Sequence, residues 1–202
     1  METDYLKTGR QVLRDEIEAM RRLDAILDES FERACRMIDT CRGRVVFVGI
    51  GHSGHVAAKS ASSFSSLGIL SFFLHAAEAV HGELGALAAG DVAILISNSG
   101  ETAEILALLP RIKELGIGSI AIVGKPESTL AHNCDVILPT GFTQEAGPLK
   151  FAGSSSGLLS LALCDMLAMA VATARGLTAE AYSKHHPGGA VGASLRENLT
   201  KI

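Results

Sequence analysis

Tryptophan is absent, aromatic residues make up only 4% of the chain, and no two of the four cysteines have CxxC spacing. Cys35, Cys41, Cys134 and Cys164 lack the spacing of a zinc site. They read as reduced thiols of a cytoplasmic protein. No Lys/Arg stripe is present: 18 basic residues face 22 acidic ones, for a net charge of −4. That balance argues against nucleic acid as a main partner. The start, Met1-Glu2-Thr3-Asp4-Tyr5, lacks the charged-then-apolar pattern of a secretory leader. The apolar segment 158–174 is broken by Asp165, so no membrane span is expected. No repeat, low-complexity tract or interdomain linker is visible. The 202 residues, 48% hydrophobic, read as one domain with a sizeable core.

What is present is alternation. Residues 9–40 carry Val12, Ile17, Met20, Leu23, Ile26 and Leu27 at helical spacing, which predicts one long helix or two. Apolar, partly β-branched runs at 44–49, 70–75, 92–97, 119–123 and 135–138 predict five strands. Helical patterns fall between them at 53–67, 102–115 and 128–133, and after them at 155–175. Strands apolar throughout, separated by helices, imply a parallel sheet covered on both faces. The expected organisation is N-terminal helices over 1–42, a sheet core over 43–176 and a C-terminal helical segment over 177–202. The fold class is α/β, a three-layer α-β-α sandwich with a five-stranded parallel sheet and an N-terminal helical extension.

Two turns stand out. In the first, Ser97-Asn98-Ser99-Gly100 ends a strand and Thr102 opens a helix. The first amides of a helix lack partners, the dipole adds positive potential, and Ser97, Ser99 and Thr102 add hydroxyls, a combination that suits a phosphate. Ser and Thr also cap helices that bind nothing, so this turn alone does not decide. In the second, Gly49-Ile50-Gly51-His52-Ser53-Gly54 has the GxGxxG form of a dinucleotide site. Such a site wants an acidic residue at the end of the second strand. His75-Ala76-Ala77 stands there, with Glu78 only later, which argues against a dinucleotide. The glycines still permit close backbone approach, and Ser53 sits where a hydroxyl would meet a ligand. Ligands of parallel sheets bind beyond the carboxyl ends of the strands, so both turns lie on one rim.

Four groups are candidates for proton chemistry: His52, Glu104, Glu145 and His186. Glu145 lies in a loop after the last strand, on the same rim. A lone loop carboxylate is ordinarily just solvated. His186 precedes Pro187-Gly188-Gly189, which favours an extended backbone at that position. Glu101 charges a helix N-terminus favourably. His75 and His81, six apart, make a weak metal pair. No metal and no cofactor are expected.

Together, Gly49-Ile50-Gly51-His52-Ser53-Gly54, Ile96-Ser97-Asn98-Ser99-Gly100-Glu101, Pro148-Leu149 and His186-Pro187-Gly188-Gly189 resemble the sugar isomerase (SIS) domain. Residues 71–85 and Gly176-Leu177-Thr178-Ala179-Glu180 are similar to its arabinose 5-phosphate isomerases. The resemblance implies interconversion of arabinose 5-phosphate and ribulose 5-phosphate through an enediol. It implies that Gly51, Ser53, Ser97, Asn98, Ser99 and Thr102 bind the phosphorylated end. Glu145 is implied as the C1/C2 base. His186 would open the ring or share proton transfer, supplied by a neighbouring subunit, and Glu104 would orient substrate or histidine. It also implies a dimer or tetramer.

Two departures are visible. Similar isomerases place Lys where this chain has His52, and Lys carries a fixed charge on a longer stem. Long members continue into paired CBS modules, whereas this sequence runs to Ile202, so the short form is expected. Two other readings remain open: a non-catalytic sugar-phosphate-binding module, and an isomerase for another phosphosugar such as a hexulose 6-phosphate.

Overall fold

The computed structural model describes residues 4–189 and 192–194. The rest of the expected segment 177–202 lies outside the described residues. Five strands form one parallel sheet: β1 (Val45–Gly49), β2 (Ser71–His75), β3 (Val92–Ser97), β4 (Gly118–Val123) and β5 (Val136–Pro139). Their order is β2-β1-β3-β4-β5. The chain therefore reverses its direction of travel between β1 and β3, the switch point at which a parallel sheet opens a crevice.

The α-helices that accompany the sheet include α1 (Tyr5–Ala25), α2 (Glu29–Asp39), α3 (Gly51–Ser66), α4 (Ala76–Ala79), α5 (Ala103–Leu106), α6 (Leu109–Glu114), α7 (Thr129–His132), α8 (Ser155–Ala174) and α9 (Ala179–His185), and a 3₁₀ turn spans Glu83–Ala86. The 9–40 stretch is two helices. Ile26 and Leu27 break it, and Asp28 caps the second helix by accepting from the Ser30 amide at 2.8 Å. A side-chain cap at that point favours a fresh start over continuation.

Alternation along the strands builds two cores. Val45, Phe47, Ile94 and Ile96 pack with α1, α2, α3 and α8. Val46, Val48, Ala93 and Leu95 pack with α4, α5, α6 and α7. Period-two side chains of a doubly covered sheet require this division.

Helix α8 corrects one expectation. Asp165 does not break the apolar run: the helix is 20 residues long, with mean hydropathy 1.8, and by length and composition is long and apolar enough to cross a membrane. Its Leu159, Leu163, Leu167 and Val171 lie in the first core. Asp165 receives both of its bonds from Lys59 Nζ of α3, at 2.5 and 2.8 Å, so a carboxylate is accommodated mid-helix by an ion pair at the edge of that core. All four cysteines are free thiols, and burial pushes Cys134 up to about 11.

Two helix boundaries differ from expectation near the rim. Helix α3 begins at Gly51, earlier than the expected 53, because Gly51 adopts φ +59° and turns the chain directly out of β1. The expected helix 102–115 is split into α5 and α6 at Ala107 and Leu108, with Pro110 in the first turn of α6. Proline fits the first turn of a helix and not its interior.

Gly49 carries the closest approach. A Cβ there would sit 2.6 Å from the Ser53 carbonyl oxygen and 2.9 Å from the Gly54 nitrogen. These are backbone atoms, which cannot swing aside. Gly49→Ala is expected to cost about 1–3 kcal/mol, read as a lower Tm in thermal unfolding.

Candidate active site

Register sets the geometry of the rim. Val48 of β1 pairs with Leu95 of β3, so Gly49 stands level with Ile96. The two glycine turns then leave neighbouring strands at nearly the same height, about 4.8 Å apart.

On the β1 side, the amides of Gly51, His52 and Ser53 open α3. The helix has no side-chain cap: Ile50 occupies the cap position, and the first intrahelical bond is Gly54 N to Ile50 O, 3.2 Å. A 16-residue helix with an uncapped start facing a switch-point crevice is receptive to anions. His52 is exposed and Ser53 half-buried.

On the β3 side, the turn is tied to itself. Ser97 is 2% exposed. Its Oγ accepts from the Gly100 amide at 3.0 Å and bonds Thr102 Oγ1 at 2.8 Å. Ser99 is exposed and its Oγ accepts from the Glu101 amide, 3.2 Å. Its burial and its two partners tie Ser97 into the turn that it ends. Asn98 is half-buried, and its Oδ1 has no partner among the described residues. It lies where a Cβ on Gly124 would be. Gly100 has φ +67°, and a Cβ there would collide with Ser128. The amides of Thr102, Ala103 and Glu104 precede the first bond of α5, Ile105 N to Thr102 O, 3.1 Å. At four residues, α5 adds little dipole, so the anion-receptive character here is local amides and hydroxyls. Glu104 is half-buried in the first turn of α5. Glu101 serves another helix: its Oε1 accepts from the Thr129 amide at 2.7 Å, at the start of α7. That bond holds its carboxyl below the usual range.

Glu145 is 8% exposed and sits at the head of α8. Its Oε2 accepts from Ser154 N at 2.9 Å, Ser154 Oγ at 3.2 Å and Ser156 N at 3.1 Å. Its Oε1 accepts from Ser156 Oγ. Burial pushes the carboxyl up, but these four bonds, led by the Ser156 hydroxyl, outweigh burial and hold it below the usual carboxylate range. Ser154 and Ser156 escape sequence reasoning. The available signal is the serine run between Gly153 and Gly157 at a helix start.

The head of α8 also meets α3. A Cβ on Gly153 would lie 3.8 Å from the His52 ring. Glu145 and His52 are thus brought to one end of the α3–α8 pair, beside the crevice.

His186 is placed elsewhere. It caps α9, stacks on Tyr182 with ring centroids 4.2 Å apart, and bonds the Tyr182 carbonyl through Nδ1 at 3.0 Å. A carbonyl only accepts, so Nδ1 carries the proton and Nε2 is the basic nitrogen of the neutral ring. Its neighbour His185 bonds Ser66 O, at the far end of α3. From Gly51 to Ser66 that helix runs about 20 Å. Within one chain, His186 does not join the rim. His75 ends β2 with Nδ1 buried and unpartnered among the described residues, and His81 is exposed. Among the described residues, no group of three His, Cys, Asp or Glu is placed to hold a metal.

A 2-1-3-4-5 parallel sheet with open amides at its switch point defines an α/β protein of the doubly wound class. Residues 38–170 match the SIS domain, and the chain belongs to that family. It is 45% identical to arabinose 5-phosphate isomerase KdsD of Escherichia coli K12 over 199 residues, 98% of this chain and 61% of that protein. It is likewise 45% identical to KdsD of Pseudomonas aeruginosa over 192 residues, 95% of this chain and 59% of that protein. The chain thus spans about three fifths of the length of these relatives. Among solved structures, E. coli CFT073 c3406 in complex with arabinose 5-phosphate superposes with a TM-score of 0.88 at 38% identity, covering 93% of this chain and 100% of that one.

Proposed function

We propose that this chain is a phosphosugar aldose–ketose isomerase that interconverts D-arabinose 5-phosphate and D-ribulose 5-phosphate. The observation that carries the reading is the buried carboxylate of Glu145 held by Ser154 at the head of α8, where Gly153 meets His52 at the open start of α3 beside the switch point. The 45% identity to KdsD proteins and the likeness to a structure holding arabinose 5-phosphate support the choice of sugar.

The open amides of Gly51 and Ser53, the Ser53 and Ser99 hydroxyls, the amide of Thr102 and the Asn98 side chain would hold the phosphate. Ser97 and the Thr102 hydroxyl would shape the turn. Glu145 would take the proton from C2 of the aldose. The electron pair of that C–H bond becomes the C1=C2 bond of an enediol, while the carbonyl oxygen at C1 gains a proton. Return of the proton to C1, with loss of the O2 proton, gives the ketose. Glu104 would orient the sugar hydroxyls, and His52 would stand beside the reacting end. His186 would open the ring and come from a second copy, because its own α9 lies at the far end of α3. The exposed stripe of Leu6, Leu13, Ile17 and Met20 on α1 supports self-association. A charged phosphosugar does not cross lipid unaided, which supports a cytoplasmic location.

The test is incubation of purified protein with pentose and hexose phosphates, with binding followed alongside turnover. Isomerisation of arabinose 5-phosphate is the expected result. Turnover of a hexulose 6-phosphate alone would reassign the substrate, and binding without any turnover would make this a binding module. His52→Lys is expected to raise kcat/KM by about threefold or more through a fixed positive charge at the crevice; an unchanged value would make that position neutral.

A further inference from the structure

The serine run at the head of α8 does more than cap a helix. Glu145 Oε2 accepts three bonds, from Ser154 N, Ser154 Oγ and Ser156 N, whereas Oε1 accepts one, from Ser156 Oγ. A carboxylate oxygen has about two good lone-pair directions. Oε2 is saturated, and Oε1 keeps acceptor capacity. We propose that Ser156, aided by Ser154, is the positioning residue for Glu145, orienting the carboxylate so that Oε1 is the oxygen that takes the substrate proton.

This inference rests on the reading of Glu145 as base. The mechanism is mechanical and electrostatic. Two amides of one helix start fix Oε2, and the Ser156 hydroxyl fixes the rotation about the last side-chain bond. The groups around the carboxylate come from several elements. Asp15, Glu18 and Arg22 of α1 line a recess of about 100 Å³ that Glu145 shares. Asp15 accepts from the Gly147 amide at 2.9 Å and from Lys150 Nζ at 3.3 Å, which pins the loop just past Glu145. His52 of α3 lies against Gly153. None of these makes a hydrogen bond to Glu145 among the described residues, so the serines alone set its orientation by direct bonds.

Ser156→Ala removes the one bond to Oε1 among the described residues and leaves both amides in place. With that donor gone, burial opposes ionisation more effectively. The expected result is a kcat about tenfold lower with KM changed by less than about twofold. The acid limb of the pH–rate profile moves to higher pH, and Ser156→Thr, which keeps the hydroxyl, restores both. A purely structural serine would lower Tm and leave the acid limb where it was. Should Ser156→Ala fold poorly, Ser154→Ala moves the same readouts in the same direction by less. A carbon-13 titration of the Glu145 carboxyl in the full chain reads the effect without any substrate, and an unchanged midpoint in Ser156→Ala overturns the proposal. Glu145→Gln separates the two levels: if it keeps full turnover, the base reading falls while the titration still judges the serines. If it abolishes turnover and Ser156→Ala changes neither profile nor titration, only the positioning role falls.

Discussion

Glu145→Gln is expected to lower kcat by roughly 10³-fold and to change substrate affinity by less than about threefold. The substitution suits this position because a glutamine amide keeps one acceptor oxygen for the Ser154 and Ser156 amides, which now bond Oε2. Its NH₂ group then donates to the Ser156 hydroxyl, which accepts as readily as it donates. The fold and the two glycine turns are expected to be untouched, so the substitution isolates the carboxylate's capacity to accept a proton. Steady-state kinetics with a direct binding measurement separates these effects; a kcat within a factor of about three of wild type removes Glu145 from the chemistry. A stability signature accompanies the change. The Glu145 carboxyl lies below its ordinary value in the folded chain. Its contribution to stability is therefore present above the ordinary value and is lost as pH falls through the lowered one. Glu145→Gln flattens that part of the acid unfolding curve.

Mixing two dead proteins is the second large effect. Glu145→Gln and His186→Ala are each expected to be nearly inactive alone. If His186 acts on the crevice of another copy, equal mixing with full exchange of subunits restores about a quarter of the wild-type rate, since half the sites receive an intact Glu145 and half of those an intact His186. If both residues serve from the same chain, mixing restores nothing. The prediction follows from the contact of His185 with Ser66 O, which anchors α9 far from Gly51.

The strands and the rim are legible in the sequence because they rest on local pattern. Apolar runs ending in glycine or serine turns mark strand ends, and in a parallel sheet all such ends share one edge. Gly49, Gly51 and the 97–102 turn can be placed on that edge from the order of residues alone. The breaks are less legible. Ala107 and Leu108 carry no breaking residue, and only Pro110 hints that the helix must restart. The exposure of Ser97 is hard to read because its type says hydroxyl donor, while the choice between a ligand and its own turn depends on whether Thr102 and the Gly100 amide come within reach. Ser154 and Ser156 are invisible as partners of Glu145, since they lie nine and eleven positions further along the chain, across a loop. Asp165 reads as a break because pattern shows the charge and not Lys59, which comes from another helix.

The bonds that Ser97 makes within its own turn bear on how a ligand arrives. A loop already folded by its own side chains has little conformational freedom left to lose on binding, so more of the contact energy is expressed as affinity. Free and occupied backbones of the 97–102 segment then differ by no more than about 1 Å. Capture at this crevice then resembles seating a plug in a rigid socket.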